Sequence, residues 1–154
     1  MDLRELQKEY ATVTEEKIKV GTLIETILGE EDGLVLNQKR KSKPKKLVIT
    51  GVDKQANCCY GSVLVNTRIS PKAKFSAEYL SSQYLIKQED YPSFLKYDSY
   101  VDCGMLFSFP LDKLLKGTYF GELTEDDLAN IFEILETTDT LSTKEKKRFG
   151  IRRR

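Results

Sequence analysis

Six cations crowd residues 39–46, KRKSKPKK, with no acid among them: Lys39, Arg40, Lys41, Lys43, Lys45 and Lys46. Cations at this density suit a polyanion. Each phosphate contact releases counterions, so binding of this kind falls as salt rises. A second basic run, KEKKRFGIRRR at 144–154, carries seven cations and one acid. Together the two runs hold 13 of the 25 Lys+Arg and one of the 24 Asp+Glu. The net charge of +1 therefore hides a strong segregation of sign, and segregated charge makes a local field. The plainer reading of the same residues is a solvated loop and a solvated tail. Asn66, Thr67 and Arg68 follow the apolar run GSVLV. An amide, a hydroxyl and a guanidinium can hold a phosphate or a base edge; Asn66 and Thr67 can equally close a strand.

The chain of 154 residues contains no histidine. Ser-His-Asp and Cys-His machinery is thereby excluded, as is the usual general base near neutral pH. Cys58, Cys59 and Cys103 form no CxxC pair, so neither a disulfide framework nor a structural zinc is expected, and no metal or cofactor is called for. Asp102 in SYVDC is the carboxylate best placed to pair with a lysine or to act as a base, unless alternation simply turns it outward. Tyr60, Tyr84 and Tyr91 are candidates for base stacking, although most of the 15 Tyr and Phe must build a core.

Positioning these groups requires a sheet. Strands are expected over 33–37, 46–52, 60–67, 83–87, 99–103 and 118–123, from their β-branched, alternating pattern, with 105–109 either continuing the strand at 99–103 or bending away after Gly104. Residues 68–81 read as an irregular connection. Residues 3–10 fit a short amphipathic helix. Val20, Leu23, Ile24, Ile27 and Leu28 fall at helical spacing, so a helix is expected over 14–28, although Ile18 and Val20 alternate with lysines as in a strand. Pro110 opens a short helix to 116, and Thr124 caps a longer one over 125–136. No apolar run reaches the roughly 18 residues of a membrane span, and MDLRELQKEY lacks a signal-peptide core; a cytoplasmic protein is expected.

The order of LVLN, KRKSKPKK, KLVIT, GSVLVNT, SYVDC, LDKLLKG and GELTEDDL resembles the PemK/MazF family of toxin ribonucleases across roughly residues 30 to 138. The resemblance implies an α+β fold: a small SH3-like, bent antiparallel β-barrel with peripheral helices. It divides the chain into a helical extension at 1–29, a barrel domain at 30–141 and a basic tail at 142–154. It also implies metal-independent cleavage of single-stranded RNA through the ribose 2′-hydroxyl, a homodimer and an acidic antitoxin partner. The family's catalytic arginine falls at Lys45 or Lys46, and its threonine at Thr67. Lys46 and Thr67 are accordingly the expected catalytic pair, with Lys39, Arg40, Lys41, Lys43, Lys45, Asn66 and Arg68 holding the strand. The alternative is a non-catalytic interaction protein of the same fold that binds nucleic acid or a partner protein.

Overall fold

Alternating apolar positions turn six segments into strands of one antiparallel sheet. In a computed structural model, which describes residues 2–32, 34, 42–53, 55, 57–69 and 76–151, these are β1 Thr22–Gly29, β2 Ser42–Asp53, β3 Cys58–Asn66, β4 Gln83–Ile86, β5 Ser99–Pro110 and β6 Thr118–Glu122. Their order across the sheet is β4-β5-β3-β2-β1-β6. Among the described residues five α-helices accompany them: α1 Leu3–Ala11, α2 Ala77–Ser81, α3 Leu111–Leu115, α4 Glu125–Thr137 and α5 Thr143–Arg148. The fold is α+β, and its sheet curls into a half-barrel. Bulges interrupt the pairing of β1 with β6, of β2 with β3 and of β3 with β5, and each adds local bend. The largest lies where β3–β5 pairing passes from Leu64↔Asp102 to Ser62↔Phe107, leaving residues 103–106 out of step on the β3 side.

The helix expected over 14–28 is instead a single 3-10 turn, Glu15–Lys17, followed by β1. The segment carries two interleaved apolar sets. Ile24 and Leu28 face one core cluster and Leu23 faces the other, so both sides of the strand are buried at its start. A strand buried on both faces reproduces helical spacing by coincidence, and β-branched Thr22, Ile24, Thr26 and Ile27 tip the balance toward extended chain. Residues 22–29 are therefore a central part of the sheet, between β2 and β6. The strand expected over 33–37 lies, Leu34 apart, outside the described residues, as do Lys39, Arg40 and Lys41.

Strand β2 starts at Ser42, four residues earlier than its apolar run suggests. It includes Pro44, which pairs with Ile27 of β1. Strand β3 ends at Asn66, opposite Lys45, so among the described residues β2 has β1 as its one neighbour at Pro44, and proline is tolerated at such an edge.

The sheet is covered on both faces. On one, α4 lays Ile131 and Leu135 over Leu23, Val48, Val63, Val65, Val101 and Cys103. On the other, Leu111 and Leu114 of α3 and the connection residues Val13 and Ile18 cover Ile24, Leu47, Ile49, Leu64 and Phe109. Helix α4 starts as the sequence suggests: the Asp127 amide donates to Thr124 Oγ1 at 3.2 Å. The segment expected as a basic tail begins with α5, held by a capping box between Ser142 and Glu145, and then buries Phe149 and Ile151 in the α4-side core. No helix among the described residues is long and apolar enough to cross a membrane.

Candidate nucleic-acid interface

Register decides which of the clustered cations meet. Lys46 pairs with Val65, which puts Lys45 beside Asn66 one step further on. Successive side chains on a strand point to opposite faces. Lys45 and Lys46 therefore diverge, although they are neighbours in sequence. Lys45 lies on the α3-side face, in line with Leu47, and its ammonium donates to Asn66 Oδ1. Lys46 lies on the α4-side face, where its Nζ is 2.9 Å from Glu25 Oε2 and 6.0 Å from the centre of the Phe94 ring. The Glu25 contact follows directly from the cross-strand pair Glu25↔Lys46.

Lys45 is half-buried, and burial pushes its amine down from 10.5 to about 8. The neighbouring charge of Lys43 pushes the same way, as does Lys46, while Asp102 pulls back. Lys43 shares the α3-side face with Lys45, two residues along β2, and is half-buried as well. Asp102, on β5 opposite Leu64, is the diagonal neighbour of Asn66. Its Oδ1 accepts from Gln83 Nε2 at 2.9 Å and from the Gly104 amide at 3.0 Å, which fixes the carboxylate in place. Gly104 is needed for this arrangement, because a Cβ there would come within 2.9 Å of the Tyr79 ring.

Of the residues named from sequence, the structure joins Lys45 to Asn66 and sets Lys43 on the same face. It separates Lys46 from them and commits that side chain to Glu25. Thr67 and Arg68 follow β3 directly and are exposed. Tyr84 and Tyr91 are occupied within the fold. Tyr84 donates to Asp127 Oδ1 at 2.6 Å, and Tyr91 donates to Asp127 Oδ2. They tie β4 and the following turn to α4, and the carboxylate raises both phenols from their ordinary range, with burial the larger cause. Asp102 is the residue that alternation in SYVDC could indeed locate. Gln83 and Tyr100 were not singled out; the signal for Tyr100 was the same alternation, which puts Tyr100 and Asp102 on one face.

Among the described residues no group of His, Cys, Asp or Glu side chains is arranged to hold a metal ion. What the arrangement offers is a half-buried amine of lowered basicity, bonded to a carboxamide oxygen, with a second cation on the same face. No family model matches this chain, and no curated protein does.

Proposed function

We propose that this protein binds single-stranded RNA along the open end of the sheet, with Lys45 and Asn66 taking a backbone phosphate and Lys43 the neighbouring charge, as a diverged PemK/MazF-like barrel would. The observation that carries this reading is the Lys45–Asn66 pair at the margin of the α3-side core, on the strand that continues the basic run. Ammonium and amide donors together satisfy the acceptor-rich edge of a phosphate. Sequence-tolerant affinity then comes from the backbone and depends on salt. The test is fluorescence anisotropy of a labelled single-stranded RNA at low and at physiological salt. Binding should weaken steeply with salt, and Lys45→Met should weaken it further. Absence of binding at low salt would overturn the reading.

RNA cleavage is a second reading, favoured by the lowered basicity of Lys45. A neutral amine there takes the 2′-hydroxyl proton and O2′ bonds to phosphorus. The 5′-oxygen then leaves with the proton returned by the ammonium, giving a 2′,3′-cyclic phosphate and a 5′-hydroxyl end. The two readings differ in sign with pH. Binding weakens as pH rises through about 8, because the charge is lost, whereas cleavage quickens as the base form appears. RNA left intact by excess protein in EDTA on both sides of that pH would exclude the nuclease and leave the binder.

A further inference from the structure

A cross-strand row runs from the Lys45–Asn66 pair toward the β4 edge: Asn66 lies opposite Tyr100 of β5, and Tyr100 opposite Leu85 of β4. Residues directly opposite on antiparallel strands share a face, so amine, carboxamide, phenol ring and leucine form one continuous series. Tyr100 is half-buried and Leu85 is 44% exposed, so the row lies where the α3-side core gives out. Four other tyrosines have partners within the fold. Tyr84 and Tyr91 bond Asp127, and Tyr10 meets Tyr119 edge to face at 5.5 Å. Among the described residues the Tyr100 side chain has no hydrogen-bond partner and no ring contact. Its ring lies half-buried on the α3-side face of the sheet.

We propose that Tyr100 is a stacking platform for one nucleobase of the strand whose phosphate rests on Lys45. The inference rests on the RNA-binding reading above and adds to it a base subsite. Tyr100 stands two strands from Lys45, about 10 Å at the usual strand spacing, within the span of one or two nucleotides. The charge of Lys45 and Lys43 selects a polyanion over an apolar peptide as the occupant of this row. An aromatic face accepts any base, so the subsite confers affinity for a base-bearing strand without sequence preference. Leu85 extends the apolar floor on the far side of the ring.

The experiment compares a short labelled oligouridine with an abasic strand of the same length, each titrated with the full chain. The parent should bind oligouridine about ten-fold more tightly than the abasic strand, the order of effect of one stacked base. Tyr100→Leu should abolish that preference and leave abasic binding unchanged, while Tyr100→Phe should keep it. Since the chain has no tryptophan, Tyr100→Trp supplies a single reporter whose emission oligouridine should quench and the abasic strand should not. This second readout decides the matter if Tyr100→Leu fails to fold. Equal binding of both strands by the parent, or an equal loss on both in Tyr100→Leu, overturns the base subsite while RNA binding stands. Failure of the parent to bind either strand overturns both.

Discussion

Lys45 illustrates how a single side chain responds to where the core ends. Its amine releases a proton near pH 8 in the folded chain and near 10.5 when unfolded. Between those values the unfolded state binds more protons, so stability rises with pH across the window. Chemical denaturation of the parent and of Lys45→Met should show this. The parent should gain on the variant as pH climbs from about 8 to 10.5 and hold a constant offset below it. A constant offset throughout would mean that the amine is not desolvated. Thr50 offers a second residue-scale check. Its hydroxyl is buried with no hydrogen-bond partner among the described residues, so it forfeits its hydration without compensation. Thr50→Val keeps the shape and should raise stability by about 1 kcal/mol, measured as the shift in urea midpoint at unchanged slope.

At the scale of elements, β6 is held to β1 by close backbone approach. A Cβ on Gly117 would come within 2.5 Å of the Glu25 carbonyl oxygen and 3.0 Å of Ile24 Cγ2. Backbone cannot yield as a side chain does, so Gly117→Ala should cost about 1–3 kcal/mol and loosen α3 and β6 together. Hydrogen exchange of the β1 and β6 amides should accelerate ahead of those in β3 and β5. The ease of reading each element from sequence follows its surroundings. Helix α4 was legible because Thr124, the acids after it and the Leu128–Ile131–Leu135 stripe all agree. Strand β5 was legible through its alternation up to Cys103; beyond Gly104 continuation and a bend both stood open, and the strand continues through a bulge at residues 103–106 that depends on what β3 presents opposite. Strand β1 was misread because burial on both faces erases the period of two. Lys45 and Asn66 were visible as candidates; that they, and not Lys46, come together depends on a register no local pattern encodes.

For the molecule as a whole, the chain's last described residues close one side of the core. Phe149 and Ile151 are 5% and 6% exposed and belong to the cluster that also holds Leu135, Val101 and Cys103. Phe149→Ala should therefore destabilise the entire domain by about 3–5 kcal/mol, the range for emptying a buried aromatic site. The thermal midpoint should fall in one cooperative transition. A loss confined to α5, with the sheet unaffected, would show the segment to be an appendage. This part of the fold was hidden in the sequence because two apolar residues among eight charges read as tail.

The divergence of Lys45 and Lys46 has a genetic corollary. Loss of one codon from the pair produces the same shortened protein whichever lysine is removed, because KPKKL becomes KPKL either way. Pairing downstream is anchored by Leu47 and Val48, so the surviving lysine would inherit the slot beside Glu25, and proline would stand across from Asn66. In-frame loss of a single triplet would thus remove the amine beside Asn66 and spare the ion pair on the α4-side face, a separation of the two lysines that chance mutation can supply ready-made.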